Sequence, residues 1–198
     1  ILRPDGLGQF RLGDADGLDV AALLRDDRQA QLADIRAQRL GFVLQSGGLL
    51  PFLSVRQNIE LPRRMLGLPG KSELVDEAIS RLCLQPLLGK LPAQLSIGER
   101  QRVSFVRAIA HEPDLLLADE PTGNLDPSTS AGIMALLARI NEGGTTVVMA
   151  THEASIVDEM QQRVVELDAL VDFPLLDRGV DQADDAEALL RSLRKALS

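Results

Sequence analysis

Two adjacent carboxylates follow a run of leucines, and they are the residues best suited to chemistry. The stretch "LLLADEP" places Asp119 and Glu120 after an apolar segment, and ligand sites in α/β proteins lie at the carboxyl ends of strands. Successive strand side chains point to opposite faces, so adjacent acids cannot share one simple role. We expect one to hold Mg²⁺ and the other to accept the proton of an attacking water. The alternative is a solvated turn, which Pro121 and Gly123 would supply.

Gln45 and His152 each end a further apolar run, "GFVLQ" and "VVMATH". If these runs are parallel strands, their carboxyl ends share one edge of the sheet, and Gln45, Glu120 and His152 converge there. Beside a phosphate, a histidine can contact the terminal phosphate and orient water, and an amide can reach a metal ion or a water. Taken singly, a histidine at a strand end is more often a structural residue than a catalytic one, and the alternative for the glutamine is an ordinary turn residue.

The stretch "LSIGERQR" predicts a helix start that could bind an anion. Ser96 and Glu99 have the S-x-x-E spacing of a capping box, and Gly98 lacks a side chain where a ligand could approach. Unpaired N–H groups and the helix dipole favour negative charge at such a terminus. The alternative is an ordinary amphipathic helix whose inward face is formed by Val103, Val106 and Ile109.

A phosphate-binding loop of the form G-x-x-x-x-G-K-[ST] is missing from the residues given. The nearest match is "MLGLPGKS" at 65–72, where Met65 replaces the first glycine and Pro69 lacks an N–H. No strand is predicted before it. We therefore predict a loop and a helix start there, between two helices.

The pattern of apolar residues predicts an α/β sheet interrupted by a helical segment. Short apolar runs predict strands at 40–45, 114–120, 145–152 and 163–167. Helical periodicity is found at 72–84, at 128–140 and in the C-terminal 181–198. The stretch 46–112 contains no convincing strand and is predicted as a mostly helical insertion. Cys83 lies in the apolar stripe of its helix, and we expect it to be buried.

Composition narrows the class of protein and its partners. The chain has 198 residues, 45% hydrophobic and 25% charged, which suits one globular domain with a subdomain. A net charge of −8 argues against a nucleic-acid partner, and a single cysteine argues against a disulfide scaffold. No apolar run approaches the roughly 18 residues of a membrane-spanning helix. Because the chain begins with Ile1, we expect a fragment of a longer protein.

Taken together, the motifs resemble those of the nucleotide-binding subunit of ATP-binding-cassette (ABC) transporters, from near the start of the chain to about residue 168. "LSIGERQR" is similar to the family's signature sequence, "LLLADE" to its Walker B strand, "GNLD" to its D-loop and "ATH" to its switch-histidine segment. Gln45 falls where the Q-loop glutamine does. "ADEPTGNLD" most resembles the subfamily of lipoprotein-releasing, macrolide-exporting and cell-division ATPases.

The resemblance implies an α/β fold: a P-loop NTPase (RecA-like) core with a mostly parallel sheet, and a helical subdomain inserted between the Q-loop and the signature helix. The implied organisation is a first part of the core at 1–45, the helical subdomain at 46–112, the rest of the core at 113–168 and a tail with an amphipathic helix at 169–198. The loop that holds the triphosphate is expected before Ile1.

The resemblance also implies a function. The chain would bind and hydrolyse ATP with Mg²⁺, pair head to tail with a second nucleotide-binding subunit, most simply a copy of itself, and drive a membrane permease from the cytoplasmic face of the membrane. Nucleic acid is not an expected partner. The alternatives are a soluble ABC ATPase without a permease and a catalytically impaired regulatory cassette.

Residue by residue, the resemblance implies that Glu120 is the general base and that His152 contacts the γ-phosphate. Asp119 would hold Mg²⁺ through water, and Gln45 would touch the metal and the water. The partner subunit's nucleotide would meet Ser96, Gly98 and Glu99, and Asp126 would order the dimer interface. Ile97 replaces the usual glycine, and it either adds bulk near the phosphate or faces away.

Overall fold

The protein, here as a computed structural model, is described at residues 11–12, 18–19, 22–23, 26, 28–44, 48–123 and 125–164. Its elements are β1 (Arg11–Leu12), β2 (Leu18–Asp19), α1 (Gln29–Arg39), β3 (Leu40–Val43), α2 (Val55–Met65), α3 (Glu73–Arg81), α4 (Ile97–Ile109), β4 (Leu115–Asp119), α5 (Pro127–Glu142), β5 (Thr146–Ala150) and α6 (Ala154–Met160). Short 3₁₀ turns lie at Gln85–Leu87 and Pro92–Gln94.

The chain divides into two compact units, which are described separately. One comprises residues 1–33 together with 153–198. Its described part contains the antiparallel pair of β1 and β2, in which Leu12 lies opposite Leu18, and the helix α6. The predicted C-terminal helix and the tail at 169–198 lie outside the described residues.

The other unit, Asp34–His152, contains a parallel sheet with the strand order β3-β4-β5. Val43 pairs with Ala118, which pairs with Met149, and Asp119 pairs with Ala150. The carboxyl ends of the three strands therefore lie at the same edge. Three of the predicted strands are confirmed with slightly shorter bounds. For the fourth, at 163–167, the described residues Arg163 and Val164 are not in a strand, and the rest lies outside the described residues.

The sheet buries one face more completely than the other. Leu116, Val43 and Ala118 are buried on the face that α4 and α5 cover. Val148 lies on the opposite face, because side chains alternate along β5, and it is 54% exposed. Removing apolar area from water stabilises this arrangement by roughly 25 cal/mol per Å². The covered face is thus the one that attaches the sheet to the helices.

Gly41 marks the closest approach between β3 and α4. A Cβ atom at this position would lie 2.5 Å from the carbonyl oxygen of Ala108 and 2.9 Å from both Leu116 Cδ1 and Pro113 Cγ. The first of these atoms belongs to the backbone and cannot move aside without moving the helix. A glycine is therefore required for α4 to pack directly on the strand.

Between β3 and β4, the described residues 48–112 form helices and loops with no strand, as the sequence predicts. Capping boxes begin α2 at Ser54 and α4 at Ser96, and the one at Ser96 was predicted from its spacing. Ser72 caps α3 through its hydroxyl. The motif-like segment 65–72 is the end of α2 and a loop before this cap, which confirms the prediction made for it.

Cys83 corrects one expectation. The predicted helix at 72–84 ends at Arg81, and Cys83 lies in the following turn with φ +53° and an exposed side chain. Leu82 and Leu84 on either side are buried instead. The helical spacing that placed the cysteine in the core no longer applies once the helix has ended.

Arg63, at the end of α2, ties the helical segment together. Its side chain is buried and donates hydrogen bonds to the carbonyl oxygens of Pro69, at 2.8 Å, and Lys71, at 3.2 Å. It also reaches the carbonyl oxygen of Ala110, at 2.8 Å, and Oε1 of Glu112, at 3.1 Å. One guanidinium group thus joins the loop after α2 to the residues after α4.

His111 is a buried histidine that contacts β3. Its Nε2 donates to the carbonyl oxygen of Leu40 at 3.1 Å, and its Nδ1 is buried without a hydrogen-bond partner among the described residues. Burial lowers the pKa of His111, an effect that the bond to Leu40 partly opposes. The neutral ring is therefore the form that the fold accommodates.

Among the described residues, none of the helices has the length and apolar character needed to cross a bilayer.

Gly41→Ala is expected to lower the free energy of unfolding by about 1–3 kcal/mol or more, because the added methyl group would force α4 away from β3. The measurement is urea unfolding followed by circular dichroism. Gly70→Ala is the matched control, since a Cβ there would meet nothing within 4 Å. Equal stability of the two variants would contradict the close packing of the strand and the helix.

His111→Gln is expected to reduce the loss of stability on mild acidification. In the unfolded chain a histidine takes up a proton near pH 6.5, whereas the pKa of folded His111 is lower. Its contribution to stability is therefore complete above about pH 6.5 and declines as the pH falls below that value. Unfolding measured at several pH values between about 7 and 5 tests this. Parallel curves for the variant and the wild-type protein would show that His111 does not titrate on unfolding.

Candidate functional site

Glu120 follows the last residue of β4 and has a left-handed backbone, with φ +47°. Its N–H donates to the carbonyl oxygen of Ala150 at 3.0 Å. Its own carbonyl oxygen accepts from Gly123 N at 3.2 Å and from Gln101 Nε2 at 2.8 Å. A left-handed conformation costs a non-glycine residue about 1–2 kcal/mol. These hydrogen bonds hold Glu120 in a conformation that the chain would not adopt alone.

The two oxygen atoms of the Glu120 carboxylate differ in their hydrogen-bond partners. Oε1 accepts from the backbone N–H of His152 at 3.1 Å and lies 2.6 Å from Nδ1 of the same residue. Because an ionised carboxylate only accepts, this contact assigns a proton to Nδ1. Oε2 is buried and has no hydrogen-bond partner among the described residues. The Glu120 side chain is 17% exposed and that of His152 is 81% exposed.

The sheet edge thus brings Glu120 and His152 into direct contact, and Asp119 precedes them as the last residue of β4. Asp119 is half-buried, and its carboxylate is an oxygen ligand of the kind that Mg²⁺ prefers. Gln45 lies outside the described residues. The edge therefore combines an acceptor for a proton, a histidine and a further carboxylate.

The start of α4 has the capping geometry expected of the "LSIGERQR" stretch. Ser96 Oγ accepts from Glu99 N at 3.2 Å, and Glu99 Oε2 accepts from Ser96 N at 2.6 Å. The latter hydrogen bond is the main cause that holds the pKa of Glu99 below its usual value. Gly98 is half-buried in the first turn, and Ile97 is 61% exposed.

Asp126 caps the start of α5. Its Oδ1 accepts from Ser128 N at 3.1 Å and from Thr129 N at 3.0 Å, and its Oδ2 accepts from Thr129 Oγ1 at 2.6 Å. The bond from the Thr129 hydroxyl is the largest cause that lowers the pKa of Asp126 to about 2. The side chain is exposed and remains ionised at neutral pH. Asn124, in the same "GNLD" stretch, lies outside the described residues.

Gln101 was missed by the sequence analysis, although it contacts the site. It is 2% exposed on α4, and it donates to the backbone of Glu120. The sequence does contain a signal for it. Gln101 lies four residues before Phe105 and seven before Ala108, so it occupies the inward face of α4, where an apolar residue is expected. Arg107, further along the helix, donates to the carbonyl oxygen of Gly48 at 2.8 Å, in the loop after β3.

Comparison with known proteins identifies the family. The family model described as ABC transporter matches residues 18–123. The chain is 48% identical to the cell division ATP-binding protein FtsE of Mycobacterium tuberculosis over 132 residues, 66% of this chain and 57% of that protein. It is 42% identical to the lipoprotein-releasing system ATP-binding protein LolD of Aquifex aeolicus over 141 residues, 70% of this chain and 62% of that protein. The chain thus spans about three fifths of these relatives.

The solved structures agree. A dimeric structure of the ATP-binding cassette MJ0796, described as a post-hydrolysis state bound to ADP and Pi, matches with a TM-score of 0.59 and 35% sequence identity over 71% of this chain and 62% of that one. The fold class predicted from the sequence, an α/β P-loop NTPase core with a parallel sheet, is confirmed. The matched family model, together with these relatives and this fold, shows that the chain belongs to the ABC transporter family.

Proposed function

We propose that this chain is the ATP-binding and ATP-hydrolysing subunit of an ABC transporter. The observation that carries the proposal is the environment of Glu120. One oxygen of its carboxylate is held by His152, and the other is buried without a partner among the described residues. A buried acceptor left unpaired costs free energy. An attacking water admitted beside this oxygen when the nucleotide binds would satisfy it, and general base catalysis requires such a contact.

Glu120 is the general base of the reaction. Oε2 accepts a proton from the attacking water as its oxygen approaches the γ-phosphorus of ATP, and ADP leaves. His152 holds the carboxylate through Oε1, and its exposed ring would contact the γ-phosphate. Gly123 lies beside this oxygen, since a Cβ there would be 3.5 Å from Oε2, an ordinary van der Waals contact.

Asp119 is the residue that would hold Mg²⁺ through water, and Gln45 would touch the metal and the attacking water. The described residues contain no cluster of three or more histidine, cysteine or acidic side chains able to bind a metal. Mg²⁺ is commonly held by one or two carboxylates, waters and substrate phosphates, so the carboxylate of Asp119 at this edge fits it. Bound there, the ion would neutralise charge on the phosphates.

The second half of each site comes from another subunit, most simply a copy of this chain paired head to tail. Ser96, Gly98 and Glu99 would face the γ-phosphate bound to that partner, at a helix terminus suited to anions. The fixed, ionised carboxylate of Asp126 would order the dimer interface. The dimeric state described for the similar cassette MJ0796 supports this arrangement.

The partner of the dimer is a membrane permease, so the chain would act at the cytoplasmic face of the membrane. Residues 1–45 and 113–168 are the two parts of the core, 46–112 are the helical subdomain that meets the permease, and 169–198 are a tail. The absence of strands from the described residues 48–112 supports this division. Similarity to the ATP-binding proteins FtsE and LolD supports a role in cell division, lipoprotein release or a related export. A net charge of −8 disfavours nucleic acid.

Glu120→Gln is expected to lower kcat for ATP hydrolysis by about a hundredfold or more, because an amide cannot accept the proton of the water at neutral pH. The variant is expected to retain an ATP-bound dimer, since the change preserves the shape of the side chain. Phosphate release measures the first effect, and size-exclusion chromatography with ATP and Mg²⁺ measures the second. The full-length protein is used throughout.

The matched control is Glu77→Gln, which removes a carboxylate that pairs with Arg81 and Arg139 on the helices. This control is expected to hydrolyse ATP at the wild-type rate. Turnover by Glu120→Gln at the rate of the control would exclude Glu120 as the general base of the reaction.

A further inference from the structure

Gln101 is a buried polar residue on the inward face of α4, and only one end of its amide group is used. Nε2 donates to the carbonyl oxygen of Glu120 at 2.8 Å. Oε1 is buried and has no hydrogen-bond partner among the described residues. Since a buried acceptor without a partner lowers stability, an apolar side chain of similar volume would suit the core better than this amide. The contribution of the amide is therefore its donor, which points at Glu120.

The hydrogen bond from Gln101 acts on a strained residue. Glu120 has φ +47°, and its N–H is held by Ala150 at the end of β5. On the other side of its Cα, the carbonyl oxygen is held by Gln101 and by Gly123. Fixing the peptide groups on both sides of the Cα fixes φ and ψ, and so the direction in which the carboxylate leaves the backbone. Strain of this kind persists only where surrounding contacts enforce it.

We propose that Gln101 is a positioning residue for Glu120, a role that rests on the proposed function of Glu120 as the general base. The amide aims the carboxylate at the attacking water by holding the carbonyl oxygen of the same residue. Gln101 lies on α4, which begins at the Ser96 cap. One helix and one hydrogen bond therefore connect two parts of the machinery. They link the proposed nucleotide contacts at the start of α4 to Glu120, the proposed general base of the chain's own site.

The test replaces the donor and leaves the volume of the side chain nearly unchanged. Gln101→Met removes the hydrogen bond without adding a charge, and Gln101→Glu keeps the shape but presents an acceptor to the carbonyl oxygen. Both are expected to lower kcat by about tenfold to a hundredfold, as misplaced catalytic groups do. KM and the affinity for ATP are expected to stay within about twofold of the wild-type values, because the interaction lost is one that acts in the chemical step.

Ser104→Ala is the matched control, since Ser104 lies one turn further along α4, is fully buried and has no partner for its hydroxyl among the described residues. It is expected to keep the wild-type kcat. Thermal unfolding of every variant separates loss of fold from loss of rate, and Gln101→Met, which buries no charge, is the variant expected to fold most readily.

The outcomes distinguish this inference from the proposed function. A fall in kcat for both Gln101 variants, with ATP affinity retained and Ser104→Ala active, supports the positioning role. Wild-type kcat in Gln101→Met beside an inactive Glu120→Gln overturns the role of Gln101 alone, as does a raised KM with unchanged kcat. Full turnover in Glu120→Gln overturns the role of Glu120 as the general base, and with it the positioning role of Gln101.

Discussion

The contact between the backbone of α4 and β3 is the constraint on which the site depends. With only hydrogen atoms at the Cα of Gly41, the carbonyl group of Ala108 can lie against the strand. Because the helix lies so close to the sheet, polar side chains of α4 can reach the loops at the ends of the strands. Arg107 can then hold the loop after β3, and Gln101 can hold the residue after β4. A larger residue at the contact would lengthen each of these bonds together, because they all originate from one helix.

Glu120 shows how a stable core supports an unfavourable local arrangement. Its backbone is left-handed, and one oxygen of its carboxylate is buried without a partner among the described residues. Each feature opposes folding, and both lie at the end of β4, a strand that contains the buried residue Ala118. The burial of β4 between β3 and β5 offsets the cost. Strain that is concentrated at one residue and compensated elsewhere is typical of sites that must be ready before the substrate arrives.

The sequence predicts the features that depend on neighbours along the chain. Apolar runs predict three of the strands, and S-x-x-E spacing predicts the cap at Ser96. It fails for Cys83, because nothing local marks the end of α3 two residues earlier. It also fails for contacts between distant parts of the chain. The side chain of Gln101 bonds to the backbone carbonyl oxygen of Glu120. No pattern of residue types specifies which carbonyl oxygen a buried amide will meet.

The sequence also predicts only part of the site, because some of its contacts depend on residues that are distant along the chain. The meeting of Glu120 and His152 follows from parallel strands whose ends share an edge. The difference between the surroundings of the two carboxylate oxygens of Glu120 does not follow, since it depends on a left-handed backbone at that residue. The motifs therefore predict which residues meet, whereas their orientation is set by the packing of α4.

The buried guanidinium group of Arg63 has a mechanical consequence. It bonds to the carbonyl oxygens of Pro69, Lys71 and Ala110, so the end of α2, the loop after it and the end of α4 share one anchor. A loop with free backbone groups would absorb a displacement of α2 by bending. Because its carbonyl oxygens are bonded to Arg63 on α2, the loop is held to that helix. A force applied to the surface of α2 would therefore move α2, the loop and the end of α4 together.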